Sequence, residues 1–431
     1  MSQDASAATA MTSASHADTV KVFRPSCRFC AAPLTRTFVD LGMSPLCETY
    51  IDASQLGSME PFYPLHALLC DRCWLVQLQE FVAPSDIFSE YAYFSSYSES
   101  WVAHARRYVD RMCAEYGIGP KNLVVEIASN DGYLLQHFVE RRVPVLGVEP
   151  AANVAQVALG KGIRTEVLFF GRQTAARIAA QHGKAALLLG NNVLAHVPDL
   201  NDFVSGMKLL LAPGGMITME FPHLERLIEE SQFDTIYHEH FSYFSFVTAE
   251  RVFAAHGIKL FDVEELPTHG GSLRIYGCHA EDTSRPTTVR ADALRSRELQ
   301  RGFESLAFYA GFTERVKEVK RALLEFLIKV RRAGKSVVGY GAPGKGNTLL
   351  NYCGIGTDFL DYTVDRNPYK QGKYTPGAHI PIHAPEHIRA TRPDYILILP
   401  WNLRDEIVDQ MDFVREWGGR FAVPIPHITV L

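Results

Sequence analysis

The chain has 431 residues, 47% of them hydrophobic and 21% charged, with a formal net charge of −5. A chain of this length divides into two or three domains, each able to bury a core. It has no lysine- or arginine-rich block and no apolar run of about 18 residues, so neither nucleic acid nor a membrane is expected as a partner.

Residues 1–22, rich in Ala, Ser and Thr, are expected to form a disordered tail. They lack the basic start and apolar stretch of an export signal, so a reducing, cytoplasmic setting is expected for the eight cysteines. Four of these form the pairs Cys27-Arg-Phe-Cys30 and Cys70-Asp-Arg-Cys73. Each pair brings two sulfurs together on a tight turn, and two such knuckles offer four thiolates to a tetrahedral ion, which suits zinc. Four protein ligands leave no open position, so the ion is structural. Redox-active or merely buried cysteines are the plainer alternative. Cys47 could replace one ligand but has no partner at knuckle spacing. The zinc domain is placed at residues 23–85.

Residues 86–265 alternate strand-like and helix-like segments. Trp101, Tyr108, Val109, Met112 and Tyr116 recur at helical spacing. Strands are expected at 123–128, 145–150, 186–193 and 216–222, with helices between them, a helix from Asp199 and a turn at 211–215. Such alternation predicts a parallel sheet covered on both faces. The first strand ends in Glu126-Ile-Ala-Ser-Asn-Asp-Gly132 and the second in Glu149-Pro150. Small residues under a nucleoside and a carboxylate that can accept both ribose hydroxyls fit a nucleoside cofactor. A single glycine is too few for close approach to a pyrophosphate, which favours S-adenosylmethionine over a nicotinamide dinucleotide. Asn191-Asn192 closes the strand at 186–193 within reach of the same ligand.

Ile236-Tyr237-His238-Glu239-His240-Phe241-Ser242-Tyr243 concentrates two histidines, a glutamate and two tyrosines. Histidine is the natural base near neutral pH, a neighbouring glutamate can fix its tautomer, and a tyrosine can donate to an oxyanion. The competing views are a surface loop rich in histidine and a second metal site. An earlier patch, Tyr91-Ala-Tyr93-Phe94-Ser95-Ser96-Tyr97-Ser98, offers hydroxyls to sugar or phosphate, or else packs at a domain junction. Residues 266–431 are placed in a C-terminal domain. A helix at 304–333 is capped by Gly334 and leads into strands at 336–341, 361–365, 395–400 and 421–426, a second small doubly wound sheet. The loop Gly339-Tyr-Gly341-Ala-Pro-Gly344-Lys345-Gly346-Asn347 lacks the P-loop order, but amides at its helix N-terminus attract phosphate, with Asp365 at the next strand end. A tight structural turn is the plainer view.

The ordered motifs — paired C-x-x-C, Y-x-Y-F-S-S-x-S, E-x-A-S-N-D-G, Y-H-E-H-x-x-Y, H-G-G-S-x-R and G-Y-G-A-x-x-K-G-x-x-L-L — resemble the nucleotide-sugar C-methyltransferases that make branched deoxysugars in antibiotic pathways. The resemblance runs from about residue 23 to the C-terminus. It implies an α/β chain: a small zinc-binding domain, a Rossmann-like class I methyltransferase domain and a C-terminal Rossmann-like domain that helps bind the nucleotide. The implied substrate is a thymidine-diphosphate 4-keto-6-deoxysugar, methylated at C3 through an enolate. His240 matches the family's base, flanked by Glu239 and Tyr237, with Tyr91, or alternatively Tyr93, near the ketone. The cofactor set is Glu126, Ala128, Ser129, Asn130, Gly132, Glu149, Pro150, Asn191, Asn192 and His196. The substrate set is Tyr93, Ser95, Ser96, His238, Tyr243, Gly341, Lys345, Asn347 and Asp365. A monomer suffices for this chemistry. A nicotinamide-dependent nucleotide-sugar oxidoreductase and a non-enzymatic zinc-bearing scaffold are the competing readings.

Overall fold

The computed structural model describes residues 25–83, 87 and 94–431; the expected tail, Tyr91 and Tyr93 lie outside them. Three strands follow the first knuckle: β1 (Arg36–Ser44), β2 (Tyr63–Leu69) and β3 (Val76–Gln77). They pair antiparallel in that order.

The central unit opens with α1 (Glu99–Tyr116). Ser98 caps it by accepting from the Trp101 amide, Gly117 ends it at φ 67, and Trp101, Ala105, Tyr108, Val109 and Met112 form its buried stripe. There follow β4 (Val124–Ile127), α2 (Leu135–Val139), β5 (Val145–Val148), α3 (Ala152–Gly160), β6 (Thr165–Glu166), α4 (Arg172–His182) and β7 (Ala185–Asn191). Next come α5 (Leu200–Leu210), capped by Asp199, and β8 (Leu211–Pro222). β8 takes in the stretch expected as a turn, because Leu211 already pairs with Ala185. After α6 (Leu224–Glu229) comes β9 (Ser242–Tyr243), which leaves the central sheet and pairs with β3. The four-stranded order is β1-β2-β3-β9. Ser242-Tyr243, just after Tyr-His-Glu-His, thus forms the last strand of the zinc-bearing sheet.

α7 (Phe246–Ala255), β10 (Ile258–Leu266), β11 (Ser272–His279) and α8 (Val289–Arg301) complete the centre. The seven-stranded order is β10-β11-β8-β7-β4-β5-β6, with β11 antiparallel to both neighbours. The division placed at 265/266 falls at the end of β10, which pairs with β11 across the short turn Thr268–Gly270.

The C-terminal unit comprises α9 (Leu306–Tyr309), α10 (Phe312–Arg332), β12 (Val337–Tyr340), α11 (Gly344–Cys353), β13 (Thr363–Val364), β14 (Ile382–His383), α12 (His387–Thr391), β15 (Tyr395–Ile398), α13 (Arg404–Gln410), β16 (Arg420–Val423) and β17 (Thr429–Val430). Its sheet runs β14-β13-β12-β15-β16-β17, parallel except for β17. One apolar core joins α10 and this sheet to β1–β3, so the first and last units pack together. Among the described residues, no helix is long and apolar enough to cross a membrane.

Candidate active site

The sheet order reverses between β4 and β7, and the cleft lies there, as open α/β sheets require. It holds about 440 Å³ and is lined by Ala128, Asn130, Glu149, Pro150, Asn191, Asn192 and His196. The turn after β4 is left-handed at Ala128 (φ 55) and Asn130 (φ 50), so non-glycine residues make the bend that glycine usually makes. Glu149 holds it: its two oxygens accept from the Asn130 and Ala151 amides, each at 2.9 Å. Gly132 serves packing, since a Cβ there would meet Ile163 at 2.3 Å. Glu126, Ser129 and Gly132 do not border the cleft. Glu126 lies fully buried behind it with neither carboxyl oxygen hydrogen-bonded. Burial, then Glu149 and Asp131, push its carboxyl well above the usual range, which favours the neutral acid.

Ser95 and Ser96 face this turn and not a separate substrate surface. The Ser95 amide donates to Asn130 Oδ1 at 2.8 Å, and the Ser96 hydroxyl accepts from Lys161 at 2.9 Å. The sequence reading missed Trp101, Tyr133 and the run Leu168-Phe169-Phe170, which close the cleft's apolar end. Their place at the cleft is visible only in the fold, where Phe169 is left 45% exposed.

His196, on the short turn after β7, links the cleft to the Tyr-His-Glu-His segment. Its ring meets that of His240 edge-on, with centroids 4.7 Å apart, and Tyr237 covers His240 at 4.0 Å. Thr235 O lies 2.8 Å from His240 Nδ1. A carbonyl only accepts, so Nδ1 carries the proton and Nε2 the lone pair. The tautomer is therefore set by Thr235 rather than by Glu239, whose Oε1 instead accepts from the Cys47 thiol at 3.4 Å. Cys47 is thus drawn into this site, remote from the zinc cluster. Burial, then His196, hold His240 well below its usual 6.5. His238 points the other way: its Nε2 donates to Pro64 O at 3.3 Å and its ring abuts Tyr63. Tyr243 is buried on β9 near the His240 ring, at 6.2 Å.

The C-terminal glycine-rich loop departs most from expectation. A Cβ on Gly344, the first residue of α11, would meet Cys47 Sγ at 3.0 Å and Glu48 Oε1 at 3.2 Å. The helix N-terminus is therefore filled by this chain's own carboxylate, which Lys370 pairs at 3.5 Å. Asn347 donates to the Cys47 carbonyl, Asp365 accepts from the Ala342 amide at 2.7 Å, and Gly341 is packed against Pro400. Gly341, Asn347 and Asp365 thus each make contacts that hold the loop. Lys345 differs. Its Nζ donates to Asn402 at 2.7 Å and lies over the Trp401 ring, and burial, opposed by Asp234, lowers it to about 8. Its charge reaches both His240 and His269.

The four knuckle sulfurs lie within 4.8 Å of one another, with Cys27–Cys73 and Cys30–Cys70 each at 3.5 Å. A tetrahedral ion with Zn–S bonds of about 2.3 Å needs sulfurs about 3.8 Å apart, so the cage fits zinc. A second group, His223, Glu225 and Glu265, is already neutralised by Arg226, Arg297 and Arg301.

Three family models match successive parts of the chain: a zinc binding domain over residues 27–88, a methyltransferase domain over 101–263 and a C-methyltransferase C-terminal domain over 267–426. The C-methyltransferase NovU of Streptomyces niveus is 37% identical over 412 residues, which cover 95% of this chain and 98% of NovU. Among solved structures, the magnesium protoporphyrin IX methyltransferase of Synechocystis PCC 6803 with bound SAM is 12% identical, with a TM-score of 0.32 over 41% of this chain and 78% of that one. An SAM-dependent methyltransferase of Anabaena variabilis is 16% identical, with a TM-score of 0.34 over 41% of this chain and 85% of that one.

Proposed function

Since this chain belongs to the C-methyltransferase family of NovU and is an S-adenosylmethionine-dependent enzyme, we propose that it methylates C3 of a thymidine-diphosphate 4-keto-6-deoxysugar through an enolate formed by His240. Membership sets aside the oxidoreductase and scaffold readings.

The observation that carries the proposal is the fixed tautomer of His240. With Nδ1–H committed to Thr235 O, Nε2 is the one ring atom able to take a proton. The ring stays neutral at pH 7 because burial disfavours its cation. A ketone at C4 acidifies the neighbouring C3–H, so a positioned imidazole suffices if a donor meets the developing oxyanion. The C3 proton passes to Nε2, and the pair left by the C–H bond becomes the enolate. That pair would then form the new carbon–carbon bond to the methyl group as the methyl's bond to the sulfonium sulfur breaks, its electron pair staying on sulfur, and the imidazolium returns its proton to solvent. Tyr237 fixes the ring from one face and His196 from its edge. The cofactor, cradled by Asn130, Glu149, Asn191 and Asn192, supplies an electrophilic methyl group on a sulfonium. His196 borders both the cleft and His240, so base and donor share one wall. Four thiolates leave zinc no open position and hence no part in the chemistry.

The substrate is tested by mass spectrometry. The protein is incubated with S-adenosylmethionine and thymidine-diphosphate 4-keto-6-deoxysugars that carry either a hydroxyl or an amine at C3, with and without C2 deoxygenation. A product heavier by one methyl group, with equimolar S-adenosylhomocysteine, is expected from one of them. Binding of the cofactor with no methylated sugar would refute the acceptor.

A further inference from the structure

The zinc cage and the catalytic segment touch through one buried side chain that neither role uses. Gln77 lies on β3 and is 1% exposed. Its Nε2 donates to Cys27 Sγ at 3.2 Å, and its Oε1 accepts from the Arg28 amide at 2.9 Å. The same residue stands opposite Ser242 in the β3–β9 pairing, and the next amide, Leu78, donates to Phe241 O at 3.0 Å. The knuckle between Cys27 and Cys30 also reaches the other side of the site. Arg28 lies 5.2 Å from the Phe241 ring centroid and donates to Pro198 O at 2.8 Å, two residues beyond His196.

We propose that Gln77 is a positioning residue that couples zinc occupancy to the placement of His240. β3 and β9 are two residues long each, too short a ladder to hold a register alone. Gln77 supplies the missing rigidity. A metal-bound thiolate is a strong, fixed acceptor, so the amide that donates to it is fixed too, and with it the strand to which β9 is bonded. Without the ion the Cys27 sulfur is no longer held in place, so Gln77 is tied to a movable and weaker acceptor and β9 loses its fixed backing. The zinc-bearing unit thus forms the rigid wall behind the base. This deepens the proposed function, and its effect on turnover rests on the reading of His240.

The test compares the zinc-loaded wild type with zinc-loaded Gln77→Met, which keeps the volume and removes the side-chain hydrogen bonds to Cys27, Arg28 and Leu75. Zinc content, S-adenosylmethionine affinity, amide hydrogen exchange over 236–243, and kcat and KM are measured. Retained zinc and cofactor affinity, exchange over 236–243 at least several-fold faster, and kcat lowered about tenfold at unchanged KM are expected. Unchanged exchange in a variant that retains zinc would overturn the coupling, whatever the activity. Faster exchange with unchanged kcat would leave the coupling standing and overturn His240 as the base. If Gln77→Met does not fold, wild-type protein is stripped by a chelator and zinc is restored. Protection of 236–243 that follows zinc supports the proposal; protection that ignores it overturns it.

Discussion

The two strand-to-helix turns of this chain invert each other. The turn after β4 is poor in glycine, bends through Ala128 and Asn130 at positive φ, and opens onto a cleft of about 440 Å³. The turn after β12 is rich in glycine and looks made for phosphate, yet Cys47 and Glu48 lie against the first residue of its helix. Glycine content reports how closely something approaches the backbone, not what approaches. In the first turn the space is left for a ligand; in the second, a loop from the zinc-bearing unit takes it. The C-terminal unit therefore packs against that loop and carries Lys345 on α11.

The largest effect expected of this contrast is at the open end. His240→Asn should lower kcat by a factor of about 10² to 10⁴, the usual worth of a general base, while S-adenosylmethionine binding by calorimetry stays unchanged. At the filled end, Glu48→Ala strands the buried Lys370 charge and should cost about 3 kcal/mol of stability, read as a lower midpoint of chemical unfolding. A midpoint unchanged from wild type would mean that the second turn is not plugged in solution. Glu149→Ala removes the acceptor of two amides in the first turn and should weaken cofactor binding by at least tenfold, at about 1.5 kcal/mol per charged hydrogen bond. Ala128→Gly relieves a left-handed alanine and should raise stability by about 1 kcal/mol, read as a higher midpoint of chemical unfolding.

The pH profile sharpens the same contrast. His240 acts when neutral, and its burial lowers the point at which it protonates, so kcat/KM should hold steady below 6.5 before falling. Lys345, lowered to about 8, loses its charge above that pH. A basic limb near 8 that disappears in Lys345→Met would place its ammonium beside the reacting oxygen.

Local pattern revealed what local chemistry determines. The C-x-x-C pairs, the apolar strands β4, β5 and β7, the α1 stripe and the Tyr-His-Glu-His cluster all carry their signals within about twenty residues. What escaped depends on distant contacts. Nothing in Ser242-Tyr243 foretells pairing with Val76-Gln77, and nothing in Leu46-Cys47-Glu48 foretells Gly344. The tautomer of His240 was sought in its acidic neighbour, whereas a backbone carbonyl five residues away sets it. His238 and His240 are near-identical by sequence but face opposite walls, one to Pro64 and one to His196.

The most direct test of the central claim separates proton removal from methyl transfer. Wild-type enzyme is loaded with S-adenosylhomocysteine, which has no methyl to give, and incubated in deuterium oxide with the 4-keto sugar that it methylates. The account predicts deuterium at C3, seen by proton NMR and by a one-unit mass gain, and its loss in His240→Asn. Exchange at C3 that persists undiminished in His240→Asn would contradict the account and place the base elsewhere.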